Sequence, residues 1–533
     1  MTNTCFDYIV VGAGSAGCVV ANRLSADPDA RVLLLEAGGW DEGFWLRLPI
    51  GYYRTMLDER VSRTFDTQPS QGTADRMIRW PRGRVMGGSS SINGLVFIRG
   101  QSEDFDDWAA AGCAGWGYRE ILPAFKRLER YAGTMSDFRG SVGELPVSDL
   151  RNRNALCTAW LEAARQYGLP SNSDFNAQST HGVGAYQLNI GRRWRASASR
   201  AFIHPVRGRK NLFIETGALV ERVTFERGIA TGVVWSRRGK QHVARCNGEV
   251  ILSAGAVQSP QLLQLSGVGP ASLLQQHGIS VVADVPGVGK NLQDHYQVRV
   301  VVRMKRKLSL NNQVRNPFSQ AAMALQWLVR GSGPLTVGAG QIGGACRTRY
   351  ATSDRPDIQL TALPLSVDGP GSPLHDFPGF TTVVYQCHPS SRGTVKIKSP
   401  SALIAPVIEP NYLAEPIDCK VLAAGFEIVR EIHAQSPFRD LMEIEVTPGP
   451  AVRTQADIIA YSQRAGGTVF HPVGTCRMGI DAQSVVDPDL RVRGVARLRV
   501  VDASVMPSIT SANTNAPTYM IAEAACARIL GKS

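Results

Sequence analysis

The stretch Phe6-Asp7-Tyr8-Ile9-Val10-Val11-Gly12-Ala13-Gly14-Ser15-Ala16-Gly17 decides how this chain is read. Its first half is a short, almost wholly apolar run of the kind that fills a parallel strand covered on both faces. The run breaks into G-x-G-x-x-G, after which Ala16, Val20 and Leu24 recur at four-residue spacing. That spacing predicts a helix over 15–26, stopped by Pro28. Arg31-Val32-Leu33-Leu34-Leu35-Glu36 then supplies a second buried strand. Strand, glycine turn, helix and strand follow one another within about thirty residues, the context that turns a weak glycine motif into a nucleotide-binding one.

The unit is Rossmann-like. Gly12 allows the tight turn, Gly14 lets the backbone approach a pyrophosphate, and Gly17 lets helix and strand pack closely. The phosphates belong at the positive end of the helix, which Ser15 and Ala16 open. Glu36, followed by Ala37, stands at the tip of the second strand, where a carboxylate accepts hydrogen bonds from a ribose diol and repels a 2′-phosphate. The pattern favours FAD or NAD over NADP and does not choose between the first two. Two later clusters, Gly267–Gly269 and Gly287–Gly289, open no second unit of this kind and read as turns.

Working outward, 533 residues exceed one ordinary core, so two domains are expected in an α/β chain that is α+β overall. The nucleotide domain is discontinuous, from 1–150, 196–299 and 465–533. A second, substrate domain comes from 151–195 and 300–464. Within it, apolar runs such as Thr381–Tyr385 and Gly393–Lys398 alternate with turn residues and predict an antiparallel sheet, capped by helices such as 418–435. Near the C-terminus, 497–502 reads as a strand and 517–530 as a helix, with Pro517 in its first turn and Gly531 beyond its end.

With 44% apolar and 19% charged residues, the composition is that of a folded protein. The opening residues run straight into the first strand and leave no room for a secretory signal, and no apolar run approaches the roughly 20 residues of a membrane span. A soluble, cytoplasmic protein is the expectation. Ten cysteines without a C-x-x-C pair or a Cys/His cluster indicate neither a disulfide framework nor a metal site. The net charge of +13, gathered in runs such as Arg192–Arg195 and 207–210, reads as a solvated basic face, with peripheral contact to anionic lipid as the sharper interpretation. No zinc-finger spacing or RNA-binding aromatic signature accompanies it, so nucleic acid is not an expected partner. Nothing in the sequence sets an oligomeric state.

Gly83-Arg84-Val85-Met86-Gly87-Gly88-Ser89-Ser90-Ser91-Ile92-Asn93 resembles the signature loop of the glucose-methanol-choline (GMC) family of FAD oxidoreductases. The stretches 255–269, 287–295, 471–479 and 502–507 are similar to that family as well, in order along nearly the whole chain. The resemblance implies bound FAD, a small-molecule alcohol as hydride donor, and oxygen or a quinone-type acceptor to reoxidise the flavin. It is nearest in look to bacterial alcohol and choline dehydrogenases. It extends the cofactor set to Arg84, Val85, Gly88, Asn93, Gly94, Leu95, Val96, Val223, Asp502, Ala503, Asn515 and Pro517. Ile92 occupies the place where relatives with covalent flavin carry histidine, so the FAD is expected to be non-covalent.

Alcohol oxidation by hydride loss needs a base, because an alkoxide expels hydride far more readily than a neutral alcohol does. The resemblance places His471 at the flavin N5 edge in that role and, counting from Asp502, makes Asn513 the second catalytic position. It puts Asp294 and His295 near the cofactor's support, as structural residues. Phe97 and Phe470 are read as substrate-pocket walls. The helix that opens at Pro517 would offer its dipole to the charge that reduced flavin gathers around N1 and O2. The implied reaction is primary alcohol to aldehyde. Choline oxidation, a hydroxynitrile lyase on the same fold and a flavoprotein without turnover are the alternatives. A serine hydrolase is a weak reading, because no G-x-S-x-G elbow follows a strand with a later Asp and His in the required order.

Overall fold

The computed structural model describes residues 5–151, 154–369 and 371–531. The strand Cys5–Val11 lies inside a seven-stranded mixed sheet. On one side it pairs in parallel with Val32–Glu36, all five residues of which are buried. On the other it pairs in parallel with the second half of Lys240–Leu252, Val11 standing opposite Leu252. Leu212–Thr216 extends the parallel set beyond Val32–Glu36, and Leu498–Val500 adds to Lys240–Leu252. The helix Ser15–Leu24 packs on these strands and on the C-terminal helix Asn515–Ile529.

The long strand Lys240–Leu252 shows why burial tracks pairing. Its first half forms an antiparallel hairpin with Ile229–Arg237, exposed over 240–243 and alternating buried and exposed over 244–247. Its last three residues run between two parallel neighbours and are buried without interruption.

The second sheet is antiparallel, in the order Ile342–Cys346, Ile358–Leu363, Gly379–Gln386, Tyr296–Met304, Met442–Thr447, with Gly467–Thr468 against the start of Tyr296–Met304. The helix Pro416–His433 covers it, starting two residues ahead of the predicted 418 because proline is tolerated in a first turn. One expectation needs correction. The strand Thr394–Lys396 does not join this sheet; it pairs with Val407–Glu409 in a ribbon of its own, pinned where Val395 N–H donates to the Gly289 carbonyl at 2.7 Å.

Each sheet has its own apolar core. The hairpin Ser62–Asp66/Arg79–Gly83 contributes Phe65 and Trp80 to the core of the second sheet and then runs directly into the glycine-rich loop at 83–93. Gly467–Thr468, also on the second sheet, leads into His471. The two sheets therefore deliver their loops to the space between them. Among the described residues no helix is long and apolar enough to cross a membrane.

Candidate active site

A cavity of about 610 Å³ extends from the first glycine turn to His471, with walls from both sheets. At the glycine end, geometry leaves little choice of residue. Gly12 has φ +97°, and a Cβ there would lie 2.6 Å from the Ser253 carbonyl oxygen. A Cβ on Gly17 would lie 1.9 Å from the Gly12 carbonyl oxygen. The helix Ser15–Leu24 has no side-chain cap at its start, so its first amides and its dipole stay available to an anion. Glu36 is fastened to both flanking turns, accepting from Ala13 N–H at 3.0 Å and Gly38 N–H at 2.8 Å. Burial pushes its carboxyl up to about 7, while the Gly38 and Ala13 amides pull the other way.

Distant segments close this end. A Cβ on Gly88, at φ +53°, would lie 2.7 Å from Gly14 Cα, so the 83–93 loop rests directly on the glycine turn. Gly87 N–H donates to the Ala13 carbonyl at 2.7 Å, and the Ser15 hydroxyl donates to Asn515 Oδ1 at 2.6 Å. Asp502 accepts from Gly255 N–H at 2.8 Å, the Ser259 hydroxyl at 2.5 Å and Ser504 N–H at 2.8 Å. An open helix start, an anchored acid and a cradle with no room for side chains suit a dinucleotide's pyrophosphate and ribose.

At the other end His471 is buried, 7% exposed, and held on both ring nitrogens. Its Nδ1 lies 2.9 Å from His295 Nδ1, and its Nε2 lies 3.0 Å from the Asn513 side-chain amide. The protons follow by elimination. His295 Nε2 faces the Cys387 carbonyl at 2.8 Å, and a carbonyl only accepts, so that nitrogen carries hydrogen. Burial drives His295 down to about 3, so the ring is neutral and its Nδ1 is bare. His471 Nδ1 must then be the donor between the two rings. Burial, His295 and Arg82 together hold His471 well below the ordinary histidine value. It too is neutral, and the one lone pair of its unprotonated Nε2, on the cavity side, accepts from the Asn513 amide.

The backbone of this corner is as firmly fixed. His471 N–H donates to Asp294 Oδ1 at 2.7 Å. Asp294 Oδ2 accepts from the Thr468 hydroxyl at 2.6 Å and also from the Tyr412 hydroxyl. Burial raises Asp294 to about 6 against those hydrogen bonds and the pull of Arg82. Phe470, at φ +67°, is a non-glycine residue in left-handed backbone. Its carbonyl accepts from both Arg82 terminal nitrogens at 3.1 Å, and its N–H donates to the Thr468 hydroxyl at 2.6 Å. These contacts offset the strain of that conformation.

Most residues singled out in the sequence meet in this cavity: Gly12, Gly14, Ser15, Ala16, Glu36, Ala37, Arg84, Gly88, Asn93, Gly94, Leu95, Val96, Phe470, His471, Asp502, Ala503, Asn513 and Asn515 line it. Five do not. Gly17 serves packing behind the turn, and Val85 is buried with Leu46 and Ile92. Val223 lies further along its strand, buried in the same core as Val220, and the cavity meets this segment at Ala218, Leu219 and Val220 instead. Pro517 is the third residue of the helix Asn515–Ile529, and the cavity meets that helix at Thr514, Asn515 and Thr518. Phe97 is a core residue rather than a pocket wall, buried among the strands and helices of the first sheet.

The placement of His295 and Asp294 also differs from expectation. They stand directly behind His471, not at the nucleotide end. Arg82 was not singled out at all. It stands between Arg79 and Arg84 ahead of the glycine-rich loop, and nothing in the sequence marks it off from those two.

A dinucleotide cradle that opens onto a neutral, desolvated histidine defines a nucleotide-cofactor redox enzyme. The two parts of the GMC oxidoreductase family model match residues 6–297 and 389–522, and the chain belongs to that family. It is 42% identical to the alcohol dehydrogenase [acceptor] of Pseudomonas putida, over 99% of this chain and 96% of that one. It is 39% identical to the mitochondrial choline dehydrogenase of Homo sapiens, over 99% and 90%. A formate oxidase of Aspergillus oryzae, solved for the effect of a mutation on its FAD modification, superposes with a TM-score of 0.93 at 25% identity, over 100% of this chain and 99% of that one. The protein is an FAD-dependent oxidoreductase.

Proposed function

We propose that the enzyme oxidises an uncharged primary alcohol to the aldehyde, with His471 as base, and passes the electrons on to oxygen or a quinone-type acceptor. The observation that carries this reading is the bare Nε2 of His471 beside the Asn513 amide. A hydroxyl that takes the amide's place at Nε2 donates its proton to that nitrogen and accepts from the amide in turn. The proton leaves the oxygen for the imidazole, and the amide steadies the charge that develops on the oxygen. As His471 becomes cationic, its Nδ1–H bond to His295 becomes charge-assisted and strengthens. FAD, when bound, supplies the acceptor for the hydride that the carbinol carbon gives up. The glycine turn, Glu36, the 83–93 loop and the start of the helix Asn515–Ile529 would hold it. Ile92, an aliphatic side chain on the cavity wall, offers no nucleophile for a flavin bond, which supports a dissociable cofactor.

The cavity wall supports an uncharged substrate. On the side of the second sheet it is Leu363, Leu365, Val383 and Tyr385, with Tyr52 and Met56 opposite. Among the described lining residues the acids are Glu36 and Asp502, both at the nucleotide end, whereas Arg82 and Arg299 lie toward the second sheet. A quaternary ammonium such as choline's would meet cations there without a carboxylate to balance it.

The test is anaerobic mixing of the FAD-loaded enzyme with a panel of primary alcohols and with choline. Apolar alcohols should bleach the flavin absorbance and choline should leave it oxidised. Failure of every alcohol to bleach it would remove the oxidative reading and leave the lyase. His471→Ala should retain FAD and slow bleaching 10²–10⁴-fold, or about 3 to 5 kcal/mol of barrier.

A further inference from the structure

The helix Pro317–Arg330 is apolar on the wrong side. Its inward residues, Met323 and Trp327, are buried, as an amphipathic helix requires. Its outward stripe should be polar, yet Phe318, Leu325, Leu328 and Val329 are 86%, 61%, 57% and 71% exposed, and Ala321 and Ala322 fill the positions between. The patch continues onto a second segment. Phe44 and Trp45 are 52% and 40% exposed, and the Phe44 ring lies 6.3 Å from Trp327 and 6.1 Å from Trp194. Exposed apolar surface of this continuity marks an interaction site.

The charge around it selects the partner. No acidic residue stands between Asp294 and Asp354, and Arg315 and Arg330, just before the helix and at its end, are exposed. Between Asp41 and Asp58, Glu42 stands alone against Arg47 and Arg54. The guanidiniums lie over rings and carbonyls: Arg47 is 4.5 Å from the Trp194 centroid, Arg54 is 4.2 Å from that of Trp45, and Arg193 caps the helix at the Trp327 carbonyl, 3.3 Å away. Aromatic and aliphatic side chains projecting from a cationic rim match the acyl boundary and headgroups of an anionic bilayer. A second copy of the chain fits poorly, because a two-fold contact through this patch would set its own cations face to face.

We propose that Pro317–Arg330, with Phe44 and Trp45, docks the enzyme on an anionic phospholipid surface. The chain from Phe44 leads within a few residues to Tyr52, Tyr53 and Met56 on the cavity wall, so docking sets the cavity beside the membrane. The docking stands whether or not the alcohol reading holds.

The FAD-loaded full chain should be sedimented with vesicles of phosphatidylcholine alone and of phosphatidylcholine mixed equally with phosphatidylglycerol. Binding to the mixed vesicles, weakening as salt rises, is the expected result. The pair Leu325→Asp and Val329→Asp should lower that binding at least tenfold while flavin content and turnover of a soluble alcohol stay unchanged. A separate pair, Arg47→Glu and Arg54→Glu, should abolish the preference for the anionic vesicles. Absence of wild-type binding, equal binding by the aspartate pair, or a stable dimer that the aspartate pair dissolves in light scattering would each overturn the proposal.

Discussion

The two ends of the cavity are built on opposite principles. The nucleotide end is made of backbone: amides at the start of Ser15–Leu24, glycines packed against carbonyls, and one acid tied to two turns. The histidine end is made of side chains, with His471 and His295 176 positions apart and meeting at 2.9 Å. A backbone site is decided by whether a Cβ fits. A side-chain site is decided by which nitrogen holds a proton. The first should therefore fail through sterics and cofactor loss, the second through proton placement while the fold and cofactor remain.

The largest effect is expected at the backbone end. Gly17→Ala puts a methyl group where the Gly12 carbonyl oxygen already stands, an overlap that rotamers cannot relieve. It should cost about 3 kcal/mol of stability and leave the purified protein colourless, read by thermal unfolding and flavin absorbance. A yellow, equally stable variant would show that the turn yields and would erase the contrast.

The next effect separates proton placement from packing at the other end. His295→Phe keeps a ring in the site but removes the acceptor for His471 Nδ1–H, releasing the tautomer. It should lower the flavin reduction rate about 10- to 100-fold with FAD content unchanged, the scale typical of residues that orient a functional histidine. His295→Gln should recover much of the rate, because an amide can accept from His471 and donate to the Cys387 carbonyl. In the wild type the rate should stay flat as pH falls to the ordinary histidine value of about 6.5, since His471 is held well below it. A limb near 6.5 in the wild type, or equal rates for the Phe and Gln variants, would reduce His295 to filler.

The same contrast explains what the sequence could show. The strand–turn–helix unit is contiguous and its geometry is a backbone property, so six glycine-turn positions and one acid suffice to read it. The antiparallel sheet was legible from alternation, but alternation is silent about partners, which is why 393–398 was placed in the wrong sheet. Val223 went astray because it shares the buried core of Val220, three residues earlier, and burial alone does not mark which of two core valines borders the cavity. Phe97 beside a cofactor loop has the same local pattern whether it lines a pocket or fills a core. Asp294 and His295 were visible as residues, but their meeting with His471 is a tertiary contact, and neither periodicity nor spacing encodes it.

The smallest expected effect tests whether Glu36, the acid tied to the glycine turn, behaves as an anchor for the ribose. Without ligand, burial raises the Glu36 carboxyl to about 7, so near neutrality it is partly protonated. A ribose diol donates hydrogen bonds to a carboxylate and therefore favours the ionised form, so binding FAD must release that proton. The dissociation constant should rise as pH falls below about 7, by up to about tenfold per unit, and Glu36→Gln should flatten the dependence. The ligand-free protein should respond with the opposite sign. A carboxyl whose folded value is raised binds more protons folded than unfolded, so its contribution to stability is full below the unfolded value of about 4.3 and is lost as pH rises through about 7. Acid should thus strip the cofactor while this group steadies the empty fold, and the comparison of thermal unfolding with Glu36→Gln isolates that contribution from other titrating residues. Cofactor affinity that ignores pH between 8 and 6, on the order of ten times the proton concentration per unit, would mean that the carboxylate holds only the Ala13 and Gly38 amides and that the ribose is bound by other groups.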